Sequence, residues 1–416
     1  MHRSTDRPTL RRRLIAFGAL LALAVTTGVT ATSASAASSS VYFGVGSKSI
    51  ATPGDGGRVL YVSTTGADQY TYEVSWGKKT VNRYECLRLK STDRATCPPA
   101  SSGAPLRTIQ AGVRSAQPGD VIVVRGGTYS EAVGWGAVAA TKSLPIVLQS
   151  HPKERVDVRG TLSLELASYW TVRGFHFLYN SKIQTGQAIV YLQGGTGWTF
   201  TNNEVAGSTG VANVMVLPGT RTGSVAARKA AGPHDYKIAL NCIRDNRGDD
   251  THGMDHNIYV MAGIYSSGGF IERNLLAGAP RGSQIKAAGP YQSASSDSPH
   301  GLTISRNTML GGASGVTVGL AAQYVRINQN LVANPAGSQQ WDGGVKIWEL
   351  QRQDLTSVKQ NLFAGYKAPV YGASSALVTS GNVSSGTIAY EGSIANCTAK
   401  AKDLRVRSTY GQLSGL

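Results

Sequence analysis

A short apolar strand closing on an asparagine recurs along the chain, and that repetition restricts the fold more than any other feature. It reads Ile238-Ala239-Leu240-Asn241-Cys242-Ile243, then Ile271-Glu272-Arg273-Asn274-Leu275-Leu276, then Ile304-Ser305-Arg306-Asn307-Thr308-Met309, with further copies around Asn203, Asn330 and Asn361. Successive asparagines are 38, 33, 33, 23 and 31 residues apart, a coil length with insertions. A second strand falls between them: Ile189-Val190-Tyr191, Val214-Met215-Val216, Ile258-Tyr259-Val260, Ile285-Lys286-Ala287, Val316-Thr317-Val318 and Val345-Lys346-Ile347. None of these segments can bury an inner face alone, whereas stacked coils share one continuous core. The expected fold is therefore all-β, a right-handed parallel β-helix, with the asparagines stacked as an amide ladder at one turn. Glycine, at 50 of 416 residues, suits a chain with many tight turns and shows no three-residue period.

Both ends of such a solenoid need covering, because they expose strand edges and apolar interior. Leu106, Ile109, Val113 and Ala116 recur at helical spacing before Pro118-Gly119, which predicts a short capping helix. Strand Val121-Ile122-Val123-Val124 follows, the β pattern runs to about Val383, and Asp403-Leu404-Arg405-Val406 reads as a closing strand. At the start, Arg11-Arg12-Arg13, an apolar run over residues 14–29 and Ala34-Ser35-Ala36 have the pattern of a secretory signal peptide. Residues 1–36 are then removed, and residues 37–416 form one domain that is secreted and extracellular; Sec and twin-arginine export both stay open.

Without that leader 36 basic residues face 23 acidic ones, a net of +13, and such a surface attracts polyanions. No basic stretch interleaves with aromatics as a nucleic-acid groove requires, and no later apolar run could cross a membrane. An acidic polysaccharide is the expected partner, and the protein is expected to be a monomer. The four cysteines suit an oxidising compartment; three pairings are possible, and the closeness of Cys86 and Cys97 favours that pair.

The densest polar cluster, Arg247-Gly248-Asp249-Asp250-Thr251-His252-Gly253-Met254-Asp255-His256-Asn257, leads straight into strand Ile258-Tyr259-Val260. Asp249, Asp250 and Asp255 offer hard oxygens that suit Ca²⁺, with a solvated turn as the open alternative. If Ile258 and Ile285 point inward, alternation turns Tyr259, Lys286, Thr317 and Lys346 to one outward face. His256 is then a candidate acid–base group near Lys286, and Tyr259, Lys346 and Trp348 a sugar-binding surface, since an aromatic ring stacks on a pyranose.

Tyr61-Val62-Ser63-Thr64-Thr65-Gly66, Pro105-Leu106-Arg107-Thr108-Ile109-Gln110, Pro118-Gly119-Asp120-Val121-Ile122 and Arg125-Gly126-Gly127-Thr128-Tyr129 together resemble the opening segment of secreted bacterial β-helix proteins of the pectate-lyase superfamily. The acid cluster followed one coil later by Gln284-Ile285-Lys286-Ala287 is most similar to the family 9 pectate lyases. There an Asp-Asp-Gly-x-Asp calcium loop precedes a Gly-Phe-Lys-Leu-Gly strand that carries the catalytic base. The resemblance implies Asp249, Asp250 and Asp255 as calcium ligands and Lys286 as the base. The loop here is longer, its glycine is displaced to Gly253, and no acid stands at Asn213-Val214-Met215, where that family places another ligand. Family 6 lyases resemble the chain less, because the place of their strand arginine falls near Gly319. Of the epimerase motif Asp-Pro-His-Asp, Gly232-Pro233-His234-Asp235 keeps three residues.

The activity these expectations describe is a polysaccharide lyase that cleaves a uronate polymer by β-elimination. That step removes the C5 proton beside a carboxylate, so it needs a base and a positive charge on the carboxylate. A uronate C5-epimerase and a non-catalytic glycan-binding or cell-surface protein are the alternatives.

Overall fold

The computed structural model describes residues 44–74, 77–88, 98–184, 186–248, 255–334, 343–402 and 404–414. Residues 1–41 are not in that set, so the leader expected there lies outside the described residues. Within the unit of residues 42–416 the described strands stack into three parallel sheets of 11, 10 and 9 strands. Each coil contributes one strand to each sheet in turn, as in Thr199–Thr201, Glu204–Ala206 and Ala212–Leu217. The parallel β-helix expected from the repeats is the observed architecture.

The core is built of columns of like residues. Phe200, Ile238, Ile271, Ile304, Ile327 and Val358 lie in register along the first sheet and are all buried. Val205, Ile243, Leu276, Met309, Val332 and Phe363 do the same in the second, and Val214, Ile258, Ile285, Val316 and Val345 in the third. At roughly 25 cal/mol per Å² of apolar surface removed from water, such columns supply most of the favourable free energy of the stack.

The asparagine ladder fixes the corner between the first and second sheets. Asn241 Nδ2 donates to Asn274 Oδ1 at 3.0 Å, Asn274 to Asn307 at 2.9 Å, Asn307 to Asn330 at 3.0 Å and Asn330 to Asn361 at 2.9 Å. Asn382 extends the row by one rung. Each amide also bonds backbone groups, so none of these buried polar atoms is orphaned. The residue before each rung, among them Leu240, Arg273, Arg306, Gln329 and Gln360, has φ between 54° and 60°. A left-handed residue turns the chain sharply, costs about 1–2 kcal/mol without glycine, and is held there by the amide that follows.

Helix Ile109–Ser115 caps the first coils as expected, with Leu106, Ile109, Val113 and Ala116 all buried. Its first amides, on Ile109 and Gln110, donate to the Glu131 carboxylate at 3.0 Å each, while Thr108 caps Ala111. The closing strand is not observed: Leu404–Thr409 is a helix. Alternation in Leu404-Arg405-Val406 mimics a strand, but the helix brings Val406 and Tyr410, four residues apart, together against Leu331 and Leu362. The whole C-terminal segment straps the outward face of the second sheet, where Ile388, Tyr390 and Ile394 cover Leu275, Leu310, Leu331 and Leu362. Its anchor is the Cys242–Cys397 disulfide. Cys86 is also disulfide-bonded, and its expected partner Cys97 lies outside the described residues.

Candidate functional site

The third sheet carries the site, because its parallel register stacks equivalent residues at a rise of about 4.8 Å per rung. Met215, Tyr259, Lys286, Thr317, Lys346 and Tyr371 form one outward column. The alternation read from sequence therefore brings Tyr259, Lys286 and Lys346 together. Lys286 Nζ lies 4.8 Å from the centroid of the Tyr259 ring and 4.9 Å from that of Trp348. Trp348 reaches it across Gly319, its register partner, where a Cβ would stand 2.6 Å from the Trp348 carbonyl oxygen and 3.0 Å from the indole. The absence of a side chain at Gly319 lets the indole lie back toward Lys286.

Burial, reinforced by Lys346, pushes the Lys286 ammonium down to about 8, and burial brings the half-buried Lys346 to about 8 as well. Two aromatic faces attract an ammonium while desolvation disfavours it, so Lys286 has access to both protonation states near neutral pH.

His256 opens the strand that carries Tyr259, His256–Val260, but is covered. Its Nδ1 accepts the Ser283 amide at 3.0 Å, which leaves the ring proton on Nε2, and Nε2 is buried with no partner among the described residues. Burial and the nearby Lys286 hold the imidazole neutral, well below its usual range, and its ring meets Tyr259 edge-on at 5.4 Å. The geometry makes His256 a brace for Ser283 and Tyr259.

Asp255 turns inward and is fully buried. Its Oδ2 accepts the Arg281 amide at 3.0 Å and lies 3.7 Å from Arg281 Nε, and burial pushes the carboxyl up to about 6. Asp249 and Asp250 lie outside the described residues. Calcium needs several converging oxygens, and among the described residues no group of three or more metal-ligating side chains is found. The described residues alone do not make a calcium site.

Several residues at the site carry no periodic signal. Arg221 Nε pairs at 3.0 Å with the buried Asp297, which ties the loop after Leu217 to the loop after Ala287 beside Tyr259. Tyr291, on that second loop and 64% exposed, lies 6.3 Å from Trp348 and extends the aromatic surface outward. Beneath the column a second amide row joins Asn213, Asn257 and Gln284. A polar residue just before the first inward apolar one in three successive coils is the sequence signal that marks it.

No protein-family model matches the chain, and no curated protein matches it. Solved structures to which it is similar include pectate lyase Pel9A, at 12% identity over 79% of this chain and 77% of that one, with a TM-score of 0.42. An alginate lyase from Paenibacillus sp. str. FPU-7 matches at 14% identity over 67% and 96%, with a TM-score of 0.37. XylC in complex with xylose matches at 10% over 78% and 68%, with a TM-score of 0.46.

Proposed function

We propose that the protein is a lyase for an acidic, uronate-containing polysaccharide, acting on the outward face of the third sheet. One observation carries this reading: a lysine with a lowered pKa, Lys286, held between two aromatic rings, with Lys346 two rungs along the same column. As free amine, Lys286 takes the C5 proton while the Lys346 ammonium neutralises the adjacent carboxylate. The C5–H bond breaks, a C4=C5 double bond forms and the bond from C4 to the glycosidic oxygen breaks. Lys286, now an ammonium, returns its proton to the departing oxygen. Trp348 and Tyr291 supply the surface on which a sugar ring stacks. Export of the mature chain to act outside the cell belongs to the same reading.

The test is incubation of the mature protein with pectate, alginate and glycosaminoglycans, following the ultraviolet absorbance of the unsaturated product. A lyase raises the absorbance, and Lys286→Ala is expected to lower the rate by about 10²–10⁴-fold with an unchanged circular dichroism spectrum. Altered uronate composition without absorbance would mean an epimerase, and binding with neither change would mean an adhesive protein. The rate is expected to survive EDTA; its loss would transfer the neutralising role from Lys346 to a bound cation.

A further inference from the structure

A cavity of about 500 Å³ lies between the outward face of the second sheet and the C-terminal strap. It is on a different sheet from Lys286, and its volume falls in the range of small-molecule sites, about 300–1,000 Å³. A buried polar network forms its wall. Glu204, 4% exposed, accepts from His176 Nδ1 through Oε2 and from Arg244 Nε at 2.9 Å through Oε1. Both carboxylate oxygens are therefore engaged, and the one acid among the cavity's lining residues is matched by His176 and Arg244.

Three cations line the space: Arg155, Arg273 and Lys400. Arg155 pairs with Asp157 at 2.7 Å and Lys400 with Glu391 at 3.3 Å, but neither acid lines the cavity. Arg273 donates to the Gln412 carbonyl at 3.2 Å. Arg155 and Lys400 thus present N–H donors whose charge is largely offset, and the least compensated positive charge in this partly desolvated space is that of Arg273, alongside amide and hydroxyl groups of Asn396, Thr398 and Gln412. Positive charge selects an oxyanion, and the uncharged donors and acceptors select a hydroxylated ring that bears it.

The geometry points to a second binding site here for a short anionic sugar, a carboxylated mono- or disaccharide, clasped between the second sheet and the strap. The site stands on its own residues and does not rest on the chemistry assigned to Lys286. Calorimetric titration of the full chain with digalacturonate tests it, with cellobiose and inorganic sulfate as the other probes.

A Lys346→Ala/Trp348→Ala background, which disables the Lys286 face, should still bind one digalacturonate. Adding Arg155→Ala and Lys400→Ala, both on exposed side chains, should weaken that binding about tenfold or more. On the wild-type background the same Arg155→Ala/Lys400→Ala pair should leave any lyase rate unchanged. No saturable binding in the disabled background overturns the site, as does equal binding of cellobiose, binding of sulfate alone, or binding indifferent to Arg155 and Lys400. Failure of the lyase assay leaves this titration intact, so the two readings fall separately.

Discussion

At the scale of single residues, each ladder asparagine acts through several bonds at once. Asn307 donates to Ile271 O, Ser305 O and Asn330 Oδ1 and accepts from Asn274, all out of contact with water. Asn307→Ala leaves these partners unpaired and is expected to cost about 3 kcal/mol, read as a lower urea midpoint. Gly319→Ala would set a Cβ 2.6 Å from the Trp348 carbonyl oxygen as well as against its indole, so the paired strands must shift and both activity and the urea midpoint should fall. The pH profile follows from two lysines with opposite duties. The free-amine fraction of Lys286 rises with pH through about 8, and the charged fraction of Lys346 falls through about 8. Their product is a narrow bell with its summit near 8, and Lys346→Gln should remove the descending arm while lowering the rate at the summit.

At the scale of elements, the strap explains why outward positions of the second sheet are apolar in the later coils. Leu275, Leu331 and Leu362 face Ile388, Tyr390 and Tyr410 instead of water. Cys242→Ser/Cys397→Ser should loosen the strap, lower the melting temperature and increase binding of a hydrophobic dye. The chain-entropy account gives about 5 kcal/mol for a link spanning 155 residues. The sequence made the third-sheet column legible because inward and outward residues alternate there, which aligns Tyr259, Lys286 and Lys346 although the coils differ in length. It hid the strap, because Asn274-Leu275-Leu276-Ala277 is apolar on both faces and carries no alternation to show which side is covered. Arg221, Asp297 and Tyr291 were hidden for another reason: they sit on insertions, whose conformations no period dictates. Nothing in the sequence distinguishes a ligand or solvated Asp255 from the buried one observed, whose carboxylate accepts the Arg281 amide.

At the scale of the whole molecule, a formal charge of +13 falls on residues 37–416, which carry the stack and its open, lysine-bearing face. On the proposed reading a polyuronate is drawn in from a distance, and that attraction is screened by salt. KM for such a polymer should rise steeply between about 0.05 and 0.5 M NaCl, while kcat changes little, because the contacts at Lys286 are short-ranged and shielded from solvent ions. The Cys242–Cys397 bond has one more consequence at this scale. A stack of near-identical windings can slip, skipping or doubling a turn with little local penalty, yet only a chain that has wound the right number of them brings its tail thiol level with residue 242. The bond is in effect a tally of completed turns.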